Sequence, residues 1–428
     1  MKKTMILGRF RQPNKYSLAS LVGALEIAPA LSDVQDSLQY EMTHDLPSEV
    51  LRSTDLADYD NIIVLLPMMS TQLRFWTREI AKLIQLREII QPKIILVAGG
   101  PHPTYCARDV LQLGVDFVVR GEGEEALPLL IREIITESEN WDSIPNLAHF
   151  GIDTLIQNPV HMLENFDDYP PYSIAHRLFS TIEITRGCPF GCYYCSVSGL
   201  FGSKVRHRSI DSIHKWLELA VQAKFDKTWF VCPNAFGYGS HDGRTAEPEI
   251  VKKMMESISS IPGLNQIYFG TFPSEVRPEF VTAEMIDACV PYISNKMFTM
   301  GAQSASDSLL ERIHRQHTFQ DVLNAMDLFR SRGFAVDLDF IFGLPGETTE
   351  DIEKNIEFFQ TVEKTTDIRI HGHTFLPLPG TRFQNEPPGE LAEEYKAILG
   401  RLSLKKKAYG SFLIQETRAK EISRATKH

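Results

Sequence analysis

The sequence predicts an α/β chain in which an N-terminal doubly wound, Rossmann-like domain is followed by a partial (β/α)6 barrel of the TIM type. Short apolar runs alternate with amphipathic helical patterns through residues 1–140. A Pro-rich stretch interrupts this alternation, which then resumes for six further strand and helix units. Strands that read as near-continuous apolar runs between helices belong to parallel sheets covered on both faces.

The first domain, residues 1–140, contains several strand patterns. They lie at Thr4–Gly8, Asn61–Pro67, Lys93–Gly100 and Val115–Glu125, with a weaker strand near "LQYEMT". Ligands bind such sheets beyond the carboxyl ends of the strands. Those ends carry "GRF", "PMMST", "AGGPHPT" and "RGEGEE", whose small residues let the backbone approach a ligand closely. We therefore expect a ligand at this edge.

Residues 141–177 are predicted to form a small hairpin and a Pro-rich linker, and residues 178–385 the barrel. The barrel strands are predicted at 180–185, 228–232, 266–270, 297–303, 335–343 and 368–375. Ser209, Thr282 and Thr318 are expected to begin three of the helices between them. Residues 386–428 are predicted to be a locally basic helical extension. Its run Lys405 to Lys407 is interpreted as a solvated face, with an RNA or acidic partner as the alternative.

The composition is that of a globular protein, with 43% hydrophobic and 23% charged residues among 428. A net charge of -11 argues against a general binder of nucleic acid or anionic membranes, which need basic surface. No segment reaches the roughly 18 apolar residues that span a bilayer. We therefore expect a cytoplasmic protein, in which clustered cysteines are metal ligands or catalytic groups. Cys106, Cys232 and Cys289 are scattered singly and are interpreted as buried structural thiols.

The other three cysteines lie in the stretch "TRGCPFGCYYCSVSG", directly after the first predicted barrel strand. Cys188, Cys192 and Cys195 have the spacing C-x3-C-x2-C, so their thiolates can surround one inorganic centre. A closed zinc site needs four ligands, and the nearest histidine, His207, has no partner at a matching spacing. An iron–sulfur cluster held by three cysteines leaves one iron open to a substrate or cofactor.

This loop resembles the signature of the radical SAM enzymes, in which C-x3-C-x2-C follows the first barrel strand and an aromatic residue, here Tyr194, precedes the last cysteine. The resemblance implies a [4Fe–4S] cluster whose open iron chelates the amino and carboxylate groups of S-adenosylmethionine (SAM). Reductive cleavage of the sulfonium would give a 5′-deoxyadenosyl radical that abstracts hydrogen from a substrate. "CPNAFGYG", where this superfamily contacts the SAM amino group, lacks the usual Gly-Gly-Glu run, and Asn234 is the candidate contact.

Two further segments resemble the subgroup that shares the barrel of the radical methylthiotransferases. In "MGAQSASDSLLERIHRQHT", the resemblance implies that Gln303 and Ser304 face the ribose and the methionine part of SAM. In "DFIFGLPGETTEDI", it implies that Gly343, Leu344 and Pro345 pack near the adenine. The alternative for the second segment is a plain turn between a strand and a capped helix.

The front domain resembles the cobalamin-binding domain that precedes the barrel in B12-dependent radical SAM proteins. The resemblance lies in "AGGPHPT" and "GVDFVVRGEGEEALPLLI" and in their place before the barrel. Many B12 proteins carry Asp-x-His-x-x-Gly after the first strand, but that place reads "GRFRQPNKYS" here, which implies no histidine below the cobalt. His102 is interpreted as a loop residue. The expected cobalamin contacts are Met68, Ser70, Thr71, Gly99, Gly100, Thr104 and Gly121; loss of cobalamin binding is the alternative.

Together the resemblances imply a radical SAM enzyme that uses cobalamin to methylate an unactivated carbon of a small molecule or peptide, with a flavodoxin or ferredoxin as electron donor. Radical cyclisation or rearrangement without methyl transfer is an alternative, and so is a non-catalytic SAM or cobalamin sensor. RNA methylthiotransferases carry three more cysteines in the front domain, where this chain has Cys106. No side chain is assigned a catalytic role. His371, His373 and the loop Phe375–Phe383 are expected on the substrate side, with a Pro-rich structural turn as the alternative.

Overall fold

The computed structural model describes residues 2–152 and 154–425. Its contacts divide the chain into two compact units, Met1–Ser180 and Thr181–His428. Across the described residues, every helix is too short or too polar to cross a membrane.

The first unit is built on one seven-stranded sheet of order β2-β1-β3-β4-β5-β6-β7. Its strands are β1 (Thr4–Arg9), β2 (Leu38–Thr43), β3 (Asn61–Pro67), β4 (Lys93–Gly99), β5 (Phe117–Val119), β6 (Leu147–Phe150) and β7 (Leu155–Gln157). Its helices are α1 (Lys15–Ile27), α2 (Pro47–Ser53), α3 (Leu73–Arg87), α4 (Pro101–Tyr105), α5 (Ala107–Gln112) and α6 (Ala126–Thr136). The first five strands are parallel, which confirms the predicted doubly wound class.

The hairpin expected between the domains is part of this sheet. Its strand β6 runs antiparallel to β5, with Val118 opposite Ala148 and Val119 opposite Leu147. At the centre of the sheet, all seven residues of β3 are buried. One face of β3 packs against α3, where Trp76 is 1% exposed. A strand covered on both faces needs the continuous apolar run seen in the sequence.

The second unit contains the predicted barrel strands in two parallel sheets of order β12-β11-β8 and β13-β14-β15-β16. The strands are β8 (Ile182–Glu183), β9 (Thr185–Arg186), β10 (Arg206–His207), β11 (Lys227–Val231), β12 (Gln266–Tyr268), β13 (Met297–Gln303), β14 (Ala335–Phe342), β15 (Ile368–Thr374) and β16 (Ala408–Tyr409). A single bridge between Val276 and Met300 links the segment after β12 to β13. The partial barrel is therefore an arc of six main strands with β16 at its edge.

Nine helices accompany these strands in the described part of the second unit. They are α7 (Val197–Phe201), α8 (Ile210–Gln222), α9 (Pro248–Ser259), α10 (Ala283–Cys289), α11 (Asp307–Arg312), α12 (Phe319–Ser331), α13 (Thr349–Val362), α14 (Glu393–Leu404) and α15 (Phe412–Ala425). Ser209, Thr282 and Thr318 accept backbone N–H bonds as N-caps of α8, α10 and α12, as predicted.

Successive side chains of β14 and β15 point alternately toward the helices and toward the inside of the arc. Phe340 of β14 packs on Phe358 and Phe359 of α13, so it faces the helices. Neighbouring residues on a strand point to opposite faces, which places Asp339 on the inner face. Its partner across the sheet is His371 of β15. The inner face of this parallel sheet is therefore polar.

The lysine run follows α14 instead of lying within it. Lys405 pairs with Glu363 at 2.7 Å, and Lys407 donates to the carbonyl oxygens of Val362 and Glu363 at the end of α13. Cations at the C-terminal end of a helix offset its dipole. Lys405 remains exposed, in accord with a solvated face, while the partly buried Lys407 packs on the end of α13.

Candidate active site

The cysteine loop lies between β9 and α7, at the carboxyl end of the first barrel strand. Cys192 is buried, and Cys188 and Cys195 are partly buried. The Cys195 N–H donates to the Cys192 carbonyl oxygen at 3.0 Å. Gly187 precedes the loop with a φ of +89°, and a Cβ there would lie 2.2 Å from the Lys204 carbonyl oxygen. The loop therefore requires glycine at this position.

At least one pair of the three sulfurs lies more than 4.8 Å apart. Tetrahedral zinc with bonds of about 2.3 Å holds its sulfurs about 3.8 Å apart. Among residues 2–152 and 154–425, the one set of three His, Cys, Asp or Glu ligand atoms all within 4.8 Å of one another does not contain these thiols. A cluster whose thiolates bind different iron atoms needs the wider spacing.

Burial governs the protonation of these thiols. It raises the pKa of Cys195 to about 12, and it raises the pKa of Cys188 as well. Thiols in this environment keep their protons until a metal replaces them. The donor set, three unpaired thiols in one loop, therefore fits an iron–sulfur cluster.

Two buried guanidinium groups face the loop, and the sequence analysis missed both. Arg315 and Arg277 donate from Nη1 to Cys192 Sγ at 3.7 and 4.0 Å. Burial and the nearby Arg315 lower the pKa of Arg277. Burial opposes the charge of Arg315 too, but the Tyr194 hydroxyl and the Cys192 thiolate outweigh it and raise the pKa of Arg315. Buried cations of this kind need an anionic partner.

Arg315 lies inside a segment quoted for the resemblance, but nothing in its spacing marks it as a neighbour of the thiols. Arg277 lies in "FPSEVRPEF", which has no recognisable motif. The one sequence feature that could have indicated them is a charged residue on the carboxyl side of a barrel strand. Exposed arginines have the same feature, so it does not distinguish the two.

The structure brings Tyr194 and Leu344 together. Tyr194 packs against the apolar cluster that contains Leu344, and burial raises the pKa of its hydroxyl. Gly343 has a φ of +67°, and a Cβ there would lie 2.5 Å from the Glu390 carbonyl oxygen. Pro345 is partly buried in the same turn. The turn thus presents an apolar surface beside the cysteine loop.

Gln303 and Ser304 have different surroundings. The Gln303 amide and the Arg315 guanidinium both approach Gly301, where a Cβ would lie 2.7 Å from either side chain. Ser304 is completely buried, and its hydroxyl donates to Asn355 Oδ1 at 3.1 Å. Gln303 therefore lies beside the guanidinium groups, while the Ser304 hydroxyl is engaged with α13.

Asn234 is buried beside Arg277 with one amide atom unused. Its Oδ1 accepts the Arg277 backbone N–H at 3.1 Å. Its Nδ2 is buried and has no hydrogen-bond partner among the described residues. A free N–H donor suits a carboxylate oxygen and cannot accept from an ammonium group.

The residues at the end of the sixth barrel strand and those in the loop after it have different surroundings. His371 and His373 lie with Asp339 on the inner face of β14 and β15. The loop Phe375–Phe383 instead packs against the cysteine loop, since the Phe383 N–H donates to the Tyr193 carbonyl oxygen at 3.1 Å.

In the first unit, five of the predicted cobalamin contacts form one hydrogen-bonded group beyond β3, β4 and β5. The Met68 N–H donates to the Gly99 carbonyl oxygen at 2.8 Å. The Thr104 hydroxyl donates to the Gly100 carbonyl oxygen at 2.8 Å and accepts the Gly121 N–H at 2.9 Å. Gly100 and Gly121 have φ of +101° and +68°, which favour glycine. The backbone conformation at this edge therefore requires glycine at both positions.

The expectation that His102 is a loop residue was wrong, since it lies in α4 and is 2% exposed. Its Nδ1 lies 3.0 Å from the Ser70 hydroxyl, and burial lowers its pKa to about 4. Thr71 follows Ser70 in a short 3-10 turn. The expectation that Cys106 is buried was wrong, since it is only partly buried, although partial burial raises its pKa to about 11.

Each of the two compact units contains a segment that matches a known protein family. Residues 22–131 match the family described as B12 binding domain, and residues 182–359 match the Radical SAM superfamily. The chain therefore carries a radical SAM domain and a B12-binding domain. The radical SAM domain implies a [4Fe–4S] cluster and SAM, and the B12-binding domain implies cobalamin. Radical SAM chemistry also requires a reductant and a substrate.

Solved structures with the same fold include TsrM, a radical S-adenosylmethionine methyltransferase from Kitasatospora setae with cobalamin and a [4Fe–4S] cluster bound. It has a TM-score of 0.68 and 15% identity over 91% of this chain and 78% of its own. The cobalamin-dependent enzyme OxsB, with aqua-cobalamin and SAM bound, has a TM-score of 0.66 and 15% identity over 95% of this chain and 56% of its own. These likenesses confirm the predicted fold class.

A curated relative is the tRNA-2-methylthio-N(6)-dimethylallyladenosine synthase of Ehrlichia canis (strain Jake). It is 24% identical over 349 residues, which cover 78% of this chain and 76% of the relative. A second such synthase, from Acidithiobacillus ferrooxidans, is 26% identical, and this chain spans 56% of its length.

Proposed function

We propose that the chain is a cobalamin-dependent radical SAM methyltransferase that acts on an unactivated carbon of a small molecule or peptide, with a flavodoxin or ferredoxin as electron donor. The observation that carries the proposal is the three-cysteine loop with two guanidinium groups beside Cys192, in a chain that also has a B12-binding domain. The TsrM structure is that of a methyltransferase with both cofactors, and its likeness supports methyl transfer.

Cys188, Cys192 and Cys195 would hold the cluster in the loop after the first barrel strand. When bound, the cluster supplies the electron that cleaves SAM, and cobalamin carries a methyl group. Arg277 and Arg315 balance the thiolate charge without admitting water, since both side chains are almost fully buried.

The donors beside the loop fit the methionine end of SAM. Arg277, Arg315 and the free Nδ2 of Asn234 can all donate to a carboxylate, and Gln303 lies beside Arg315 for a hydroxyl. Ser304 would position Gln303 through its bond to α13. The apolar surface for the adenine would come from Tyr194, Gly343, Leu344 and Pro345.

The cobalamin contacts would come from the open edge of the first unit. Gly99, Gly100 and Gly121 would contribute backbone contacts there, beside Met68, Ser70, Thr71 and Thr104. His102 is neutral at ordinary pH and engaged with Ser70, which agrees with a cobalamin that has no histidine ligand from this chain.

The experiment uses full-length protein prepared without oxygen and supplied with iron, sulfide and hydroxocobalamin. With SAM and dithionite we expect about four irons per chain, a corrinoid spectrum, 5′-deoxyadenosine and S-adenosylhomocysteine. Cys192→Ala should abolish 5′-deoxyadenosine formation. The control Cys289→Ala, which changes a buried thiol in α10, should retain it.

Other results would favour other functions. 5′-Deoxyadenosine without S-adenosylhomocysteine would favour cyclisation or rearrangement, and cofactor binding without SAM cleavage would favour a sensor. Zinc in place of iron would contradict the proposal. Methylthio transfer is not proposed, because residues 1–180 contain one cysteine, Cys106.

A further inference from the structure

A row of polar side chains crosses three neighbouring strands on the inner face of the second unit. Asp339 of β14 is the cross-strand partner of His371 of β15, and His371 is the partner of Tyr409 of β16. His371 Nδ1 lies 2.8 Å from Asp339 Oδ1. The Tyr409 ring stacks on the imidazole at 4.5 Å and 10°, and its hydroxyl donates to Asp337. The imidazole is therefore held from both sides.

We propose that His371, oriented by Asp339, is a proton acceptor for an N–H or O–H group of the substrate on this inner face. The inference goes beyond the cofactor chemistry and rests on the proposed function only in requiring that a substrate reaches this face.

The hydrogen bond to Asp339 decides which ring nitrogen is free. Burial opposes the charge of Asp339, but the bonds from His371 and His373 outweigh it and lower its pKa, so the carboxylate is ionised and can only accept. The proton of neutral His371 must therefore be on Nδ1. Its Nε2 then carries a lone pair. This nitrogen accepts no hydrogen bond from the residues that the structure describes. The side chain is 21% exposed.

A metal ion is the main alternative, since Asp339, His371 and His373 offer three ligand atoms within 4.8 Å. The second histidine argues against it. Gln415 Oε1 accepts the Thr374 N–H at 2.8 Å, so its amide nitrogen is the atom that faces His373 Nδ1 at 3.5 Å. His373 Nδ1 must then be the acceptor, which puts the proton on Nε2, toward Asp339. A metal-bound Nε2 would instead need a protonated Nδ1 with an acceptor beside it.

Further ionisable side chains surround the row. Asp337 is neutralised by Arg369, which donates to both of its oxygens. Glu275, in the segment after β12, has its pKa raised to about 7 by burial and by Asp339. No arginine or lysine is paired with Glu275 or Asp339 among the described residues. Asp339 is therefore the carboxylate in direct contact with the His371 imidazole.

The step is a simple proton transfer. The proton of a substrate N–H or O–H moves to His371 Nε2, and the electron pair stays on the substrate nitrogen or oxygen. The imidazolium that forms is stabilised by Asp339 through the existing Nδ1–H bond, as in other aspartate–histidine pairs. No oxidant or reductant is consumed.

The test uses the full-length, cluster-loaded protein with 15N-labelled histidine. Nuclear magnetic resonance spectra of the imidazoles show which nitrogen carries the proton, and His371→Gln assigns the signal. We expect a single Nδ1–H tautomer at His371, and a mixture of tautomers in Asp339→Asn. The matched control Asp337→Asn changes a carboxylate on the same strand face that pairs with Arg369, and should leave the tautomer unchanged.

A second measurement asks whether the lone pair is available. Diethyl pyrocarbonate acylates unprotonated, accessible imidazole nitrogens, and mass spectrometry should find His371 modified several-fold faster than His373. An Nε2–H tautomer, protection of His371, or one zinc per chain that is lost in His371→Gln would each overturn the proposal. Formation of 5′-deoxyadenosine by the wild-type protein is measured alongside. Its absence from the wild type would contradict the proposed function and leave the tautomer result intact.

Discussion

The side chain of Arg315 places a full charge 3.7 Å from Cys192 Sγ in a buried environment. Arg315→Gln removes that charge but keeps a polar group. Loss of a charge-assisted hydrogen bond costs about 1.5–3 kcal/mol, so we expect SAM cleavage to slow about 10- to 100-fold while most of the iron is retained. The rate of 5′-deoxyadenosine formation measures this. Arg332→Gln, which breaks an exposed pair with Asp287, is the control, and equal rates in the two variants would contradict the role of Arg315.

Glu347 is a second residue whose environment has a measurable effect. Burial raises its pKa to about 7, and it accepts bonds from the Gly343 N–H and the Tyr395 hydroxyl at 2.8 Å. Because the folded state binds its proton more tightly than the unfolded state, this group makes stability fall as pH rises from about 4.3 to about 7. The decrease in the free energy of unfolding over this pH range approaches about 3 kcal/mol.

Glu347→Gln should therefore flatten the change in melting temperature between pH 5 and pH 7.5. Glu350→Gln is the control, because Glu350 lies in the first turn of α13, after Glu347, and pairs with the exposed Lys354. A wild-type protein as stable at pH 7.5 as at pH 5, with Glu347→Gln unchanged, would show that the carboxyl group is not buried in solution.

The cysteine loop depends on its two glycines in different ways. Gly187 and Gly191 both have positive φ, but a Cβ at Gly187 would meet the Lys204 carbonyl oxygen at 2.2 Å, whereas a Cβ at Gly191 would meet nothing within 4 Å. Gly191→Ala should cost about 1 kcal/mol of backbone strain and retain the cluster. Gly187→Ala must displace the loop, and we expect less than half of the wild-type iron per chain. Equal iron content in the two variants would contradict this.

Secondary-structure elements were largely predictable from the sequence. The apolar runs of β1, β3 and β4 needed no tertiary context, because both faces of these strands are covered. The pairing of β6 with β5 was not predictable, since a hairpin pattern does not say which strand it joins. The convergence of Arg277 and Arg315 on Cys192 also depends on how the strands of the arc are arranged, and local sequence does not report this arrangement.

Across the whole molecule, each compact unit contains its own sheet and its own candidate cofactor residues. The predicted cobalamin contacts are bonded to one another within the first unit, and the cysteine loop to partners within the second. The hydrogen bonds named for each group join residues of that group's own unit. The two cofactors should therefore load independently.

This independence can be measured with one variant in each unit. Gly100→Ala puts a Cβ about 3.0 Å from the Met68 carbonyl oxygen at a φ of +101°, so we expect cobalamin binding to fall several-fold while iron per chain stays at the wild-type level. Gly114→Ala controls for strain, because its φ is +97° but it lies before β5, at the opposite end of that strand from Gly121. Cys192→Ala should lose iron and keep cobalamin. If it lost both, binding in one unit would have to depend on the cofactor of the other, and the two sites could not be the separate structures that their hydrogen bonds describe.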